Sequence, residues 1–131
     1  MVGSFLDSPA GTLVLHAQEL PPPMQLTFAL GPTGSVDRAG AATLRGSLGC
    51  SREGTVTVTG TLRQQVGKRV TVGSFRTTVA CDGTESWSAT VVGETGQYRH
   101  GSAQGVALAE FVDVLREEVV RARDAHTVQL S

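Results

Sequence analysis

Apolar and polar residues alternate along most of this chain, most cleanly from Thr55 to Leu62, where Val56, Val58 and Leu62 are interleaved with Thr55, Thr57, Thr59 and Thr61. A strand turns successive side chains to opposite faces, so this spacing lays one apolar and one polar face on an extended chain. A helix cannot use that pattern. The same period recurs in Gln25–Leu30 and across 40–50, where Ala42, Leu44, Gly46, Leu48 and Cys50 share a parity against Thr43, Arg45 and Ser47. It returns at Ser86–Val92, with Trp87, Ala89 and Val91 on one face. Between Arg69 and Cys81 the parity changes once, since Val70 and Val72 fall in one set and Phe75, Thr77, Val79 and Cys81 in the other. This predicts a bulge or a sheet crossing near Gly73-Ser74.

Turn-forming clusters separate these runs: Gly31-Pro32-Thr33-Gly34, Ser51-Arg52-Glu53-Gly54, Gln65 to Lys68, and Gly93 to Gly96. Their spacing, about eight to twelve residues, is that of β-sandwiches and barrels. The C-terminal part reads two ways. Leu108, Phe111, Val112, Leu115, Val119 and Ala122 fall at helical spacing, with Glu117, Glu118 and Arg121 able to pair on the opposite face. Alternatively, strands at Ala103–Val112 and Val119–Leu130 form a hairpin about a polar turn at Arg116-Glu117-Glu118. The hairpin is preferred, because a sandwich needs its last two strands and tertiary context overrides local helix propensity.

Ahead of this body, Thr12 to Leu20 offers a short candidate strand, ended by Pro21-Pro22-Pro23, which cannot donate ladder hydrogen bonds and favours a stiff extended spacer. Residues 1–23 are therefore read as an N-terminal arm with a Pro-rich spacer, and residues 24–131 as the β-domain. A length of 131 residues suits that single domain. The formal net charge of −1, with both signs mixed along the chain, lacks the basic stripe of a nucleic-acid binder. No segment approaches the roughly twenty apolar residues of a membrane-crossing helix. Met1 to Ala10 does not read as a secretory signal. Lys68 is the single lysine, and Ile and Asn do not occur, a bias that points to a GC-rich coding sequence and a bacterial source, with actinobacteria expected.

Cys50 and Cys81 are separated by a whole predicted hairpin, with no Cys-x-x-Cys or His cluster to make a zinc site. They are read as a disulfide, with two buried free thiols as the alternative. Closing such a loop would stabilise the fold by roughly 3 to 4 kcal/mol in the chain-entropy model, and would place the chain in an oxidising, extracellular compartment. Catalytic, cofactor-binding and metal-ligating sets are not found. His16, His100 and His126 are dispersed, and no Gly-x-Ser-x-Gly, His-Glu-x-x-His or phosphate-cradling loop occurs. Asp124 and His126 share a strand face if the hairpin is right, and Arg121 and Arg123 could read a carboxylate, though edge charges commonly serve to discourage aggregation. Trp87 is expected to pack over the disulfide as a core marker. The threonines at 55–61 and 76–78 are expected to form a solvated, regular face.

These segments together resemble a family of small secreted immunoglobulin-like domains of unassigned function that are common in actinobacteria. The resemblance rests on Val36-Asp37-Arg38, Ala41 to Gly46, Cys50-Ser51, Gly54 to Leu62, Gly73-Ser74-Phe75, Val79 to Gly83, Trp87, Gly96-Gln97-Tyr98, Gly101-Ser102-Ala103 and Thr127 to Leu130. It covers roughly residues 24–130. It implies an all-β, immunoglobulin-like antiparallel sandwich of about seven strands with a Cys50–Cys81 bond, and brings no catalytic residues. Family members often carry a second cysteine pair near the last hairpin, which this chain lacks.

The expectation is a non-catalytic extracellular binding or adhesion module with no cofactor, recognising a protein or surface partner through loops near 31–40, 51–54, 82–86 and 93–101. The alternative is a self-associating structural subunit of a particle or filament, such as a virion decoration protein, forming homo-oligomers by strand exchange of the N-terminal arm.

Overall fold

The computed structural model describes residues 22–131. The expected arm, with the candidate strand at Thr12–Leu20, lies outside the described residues apart from Pro22 and Pro23. Five strands carry the described chain: β1 (Leu26–Val36), β2 (Ala42–Val66), β3 (Arg69–Val91), β4 (Gly101–Asp113) and β5 (Glu118–Leu130). The fold is all-β, with no helix among the described residues.

Alternation dictates the burial. Along β2 the even-numbered side chains face inward, with Ala42, Leu44, Leu48, Cys50, Val56, Val58 and Leu62 all buried, while Thr55, Thr57, Thr59 and Thr61 face outward. One sheet contains every strand, in the order β1-β5-β4-β2-β3, and β1 also pairs with β2. The sheet thus closes into a four-stranded barrel through β1, β2, β4 and β5. The fifth strand, β3, runs antiparallel along β2 from Ala42↔Val91 to Val66↔Arg69.

In place of the expected seven or so strands there are five continuous ones, and they close. Ser51–Gly54 and the stretch after Cys81, expected as turns, lie within β2 and β3. The chain does not reverse there. Between Cys50↔Gly83 and Gly54↔Cys81, four residue steps on β2 stand opposite two on β3, which bends the pair at a bulge. An even surplus preserves parity, so the inward set continues through the bend. On one side of it Ala42–Cys50 pairs with β1, and on the other Val56–Arg63 pairs with β4.

A second correction concerns Gly73-Ser74, where the β2–β3 register runs unbroken. The inward positions there are Thr71, Gly73 and Phe75, while Val70 and Val72 lie on the outer side, only partly covered. The valines misled because a β-branched residue suits either face of a strand. The turn expected at Gly31–Gly34 is instead an irregularity inside β1, which resumes against Leu44.

The C-terminal hairpin is present, with β4 and β5 paired from Gly101↔Leu130 to Asp113↔Glu118. The inward side of β4 is small: Ala103, Gly105, Ala107 and Ala109 precede Phe111. The bulkier Val112, Leu115 and Val119, which carried the helical pattern, are exposed.

The disulfide between Cys50 and Cys81 spans the bend, with Cα atoms 6.0 Å apart. Trp87 is buried, stacking on Phe28 (5.5 Å between centroids) and Phe75 (6.2 Å), and its Nε1 donates to the Ala29 carbonyl at 3.2 Å. The cross-strand partner of Trp87 is Gly46, where a Cβ would stand 2.1 Å from the Ala29 oxygen and 2.5 Å from the indole nitrogen. Only glycine leaves room for the ring between the strands.

Candidate functional site

The outward residues of β3, β2, β4 and β5 make a regular face. Register places Thr78, Thr57, Glu110 and Arg121 in one row, Arg76, Thr59, Leu108 and Arg123 in the next, and Ser74, Thr61, Val106 and Ala125 in a third. The expected threonine-rich face is thus the column Thr55 to Thr61 with Thr78 beside it, and its charged neighbours are Arg76 and Glu110. Within it, Arg121 Nε donates to Glu110 Oε2 at 2.8 Å, an exposed pair worth little in stability but sufficient to orient both groups.

At the end of this face nearest the bend, the tip of the β4–β5 hairpin stands over β2 and encloses a groove of about 690 Å³. Its floor is Thr55, Thr57, Thr59 and Arg76, and its wall is Val112, Val114, Leu115 and Val119. Two features hold the tip in place. The Phe111 ring fills the space above Gly54, where a Cβ would lie 2.1 Å from it. Asp113, buried within the hairpin, forms an ion pair through Oδ2 with Arg52 of the β2 bulge, and its Oδ1 accepts the Arg116 amide at 3.4 Å. Glu117, with φ 54°, turns the chain, and Arg116 Nε bonds Glu118 Oε1 at 2.7 Å across the turn.

The Arg52–Asp113 pair bridges residues 61 positions apart, and nothing in the local sequence announces it. The exposed tip was equally hidden, because Val112, Leu115 and Val119 fit the helical pattern and counted as core in that reading. Val114 and Leu115 beside a charged turn were the available signal.

The expected recognition loops divide. Residues Arg52, Glu53 and Gly54 line the groove, whereas 82–86 lie within β3. Parts of 31–40 and 93–101 meet elsewhere, around a second cavity of about 430 Å³ lined by Asp37, Arg38, Gln97, Tyr98, Arg99 and His100. Its polar groups are largely engaged in holding the backbone. Asp37 Oδ1 accepts the amides of Ala39 (2.8 Å) and Ala41 (3.0 Å), and buried Gln64 exchanges two 2.8 Å bonds with the backbone of Arg99. The Tyr98 hydroxyl donates to the Leu62 carbonyl at 2.7 Å, and burial, helped by nearby Glu94, pushes its pKa up to about 12. A phenol so held is a structural donor rather than an acid at neutral pH.

His100 is exposed, and Asp124 and His126 reach across to β1 rather than toward either cavity. Arg121 is engaged by Glu110, so it does not join Arg123 in a paired carboxylate clamp. Among the described residues, no group of three or more His, Cys, Asp or Glu is arranged to hold a metal ion, and no helix is long and apolar enough to cross a membrane. Compared with known protein families and with curated proteins, the chain matches none.

Proposed function

We propose that this chain is a non-catalytic, extracellular binding module of immunoglobulin-like type, and that its recognition surface is the groove beneath the β4–β5 tip. The observation that carries this reading is the gathering of Val112, Val114, Leu115 and Val119, four of the five large exposed hydrophobic side chains among the described residues, on the groove's wall. Contiguous exposed apolar surface rimmed by polar residues marks an interaction site. Opposite that wall, Arg76 on the floor pairs with no carboxylate among the described residues. An extended peptide carrying apolar side chains and an acidic residue would match both sides.

The disulfide supports an oxidising, extracellular location. The immunoglobulin-like reading is supported by the bend in β2 and β3. Divided there, the two long strands and the three shorter ones make seven segments, three on the β1 side and four on the β4–β5 side.

Selection of displayed random peptides against the protein tests the function, with backbone NMR to map the contact. Peptides of apolar-acidic character that shift Thr57, Thr59 and Val112, and that fail to bind V114S/L115S, are expected. Peptides mapping elsewhere, or binding the double variant equally well, would refute the assignment.

One observation favours the second reading, a self-associating structural subunit. The described chain enters beside the groove, since the Gln25 amide donates to Ser51 Oγ at 2.8 Å and the Ser51 amide to the Gln25 carbonyl at 3.1 Å, next to Arg52. In this reading the segment Thr12–Leu20, which lies outside the described residues, would be the strand that a neighbour's groove receives. Light scattering on the full chain and on a deletion of residues 1–21 separates the readings: assembly lost with the segment supports the subunit, and an unchanged monomer excludes it.

A further inference from the structure

The barrel closes between β1 and β5 with very little ladder. The two strands are in parallel register at Thr33↔Gln129 and Gly34↔Leu130, and Ser131, just past β5, donates to the Gly34 carbonyl at 3.1 Å and accepts the Val36 amide at 3.0 Å. Upstream, at Leu30, side chains of β5 take the place of backbone pairing. The Leu30 amide donates to Asp124 Oδ2 at 2.9 Å, and the Leu30 carbonyl lies 2.6 Å from His126 Nε2. The other ring nitrogen, Nδ1, lies 2.9 Å from the Thr127 carbonyl, and Asp124 Oδ2 is 3.4 Å from Nε2.

A carbonyl oxygen only accepts hydrogen bonds, and a neutral imidazole carries a single N–H. Both contacts are hydrogen bonds only when both nitrogens are protonated, so this geometry suits an imidazolium, with the Asp124 carboxylate beside it. In the neutral ring, one nitrogen would turn a lone pair toward a carbonyl. We propose that Asp124 and His126 form a proton-dependent latch over Leu30, shut while His126 is an imidazolium and loosened at the β1–β5 seam when the ring becomes neutral.

The surroundings fit such a device. Both side chains are about one-third exposed, so solvent protons reach them. The Leu30 side chain is buried over Gly105, the cross-strand partner of His126, where a Cβ would stand 2.7 Å from Leu30 Cδ2. The latch therefore holds the backbone of a residue whose side chain completes the core. The Thr127 and Leu30 carbonyls raise the pKa of His126, partial burial opposes them, and Asp124 adds to the rise. Asp124 is the one charged group acting on the ring among the described residues: β1 carries no titratable side chain, and β4 presents Gln104, Gly105 and Val106 opposite. Because the folded pKa is raised, the stabilisation is complete below the ordinary histidine value of about 6.5 and is lost as pH rises through the raised one.

NMR of the full chain tests this, following the ring nitrogens of His126 and the hydrogen-exchange protection of the Leu30 amide, corrected for intrinsic rate, on both sides of the titration. Protection at Leu30 is expected to fall roughly tenfold to a hundredfold, the equivalent of one hydrogen bond to a charged group, while Val58 in β2 is unchanged. H126Q should abolish the dependence, and D124N should move it to lower pH. A His126 ring that is neutral at pH 6, or Leu30 protection that is the same on both sides of the titration or has the same pH dependence in H126Q, would overturn the latch.

Discussion

The β2–β3 ladder and the β1–β5 seam close the same molecule by opposite means. Along β2–β3, backbone pairs run nearly the whole length of both strands, interrupted once at a bulge that the Cys50–Cys81 bond spans. Trp87 seals the inner side. At the β1–β5 seam two register positions and the backbone bonds of Ser131 to Gly34 and Val36 make a short ladder, and Asp124 and His126 extend the join with side chains. Backbone pairing is indifferent to pH near neutrality, whereas an imidazole is not. Inward-pointing charges on a poorly paired edge also discourage a foreign strand from docking there. The two junctions thus differ in kind: one gives the molecule its stability, and the other a place where stability responds to its surroundings.

The sharpest way to break the stable half is Trp87→Ala, which removes two ring stacks and leaves the Ala29 carbonyl without its indole donor. Urea unfolding should show a loss of about 4 kcal/mol. Replacing both cysteines by alanine tests the staple over its sequence separation of 31 residues, with an expected loss of roughly 3 to 4 kcal/mol. Arg52→Ala should cost less, about 2 kcal/mol, because it strands a buried carboxylate at Asp113 while Arg52 itself is partly hydrated. At the seam the effect is smaller again. Urea midpoints of the wild type should fall on raising pH through the His126 titration, and those of H126Q should not. Smallest of all, V114S/L115S should leave stability within about 0.5 kcal/mol while weakening groove binding, since these side chains face solvent.

Much of the stable half was legible because its signal is local. Val56, Val58 and Leu62 among threonines specify which face of β2 is buried, and Trp87, Ala89 and Val91 do the same for the end of β3. Periodicity was less reliable where bulk and burial part company. Alanine and glycine line the inward side of β4, so the larger Val112 and Leu115 on the outside dominated the pattern and imitated a helix. Val70 and Val72 misled similarly at the start of β3. Ser51–Gly54 looked like a turn because its residues are polar and turn-forming, although the inward parity runs through the even bulge unchanged.

From the sequence alone came the all-β class, the inward face of β2 and of the end of β3, and the cysteine pairing, because strand alternation and chain connectivity are properties of neighbours along the chain. Tertiary structure decided that β1 meets both β2 and β5, that Arg52 finds Asp113, and that Asp124 and His126 grip Leu30. Those contacts join residues far apart in sequence, each set by closure of the barrel, and no local pattern encodes which distant backbone a given side chain will reach.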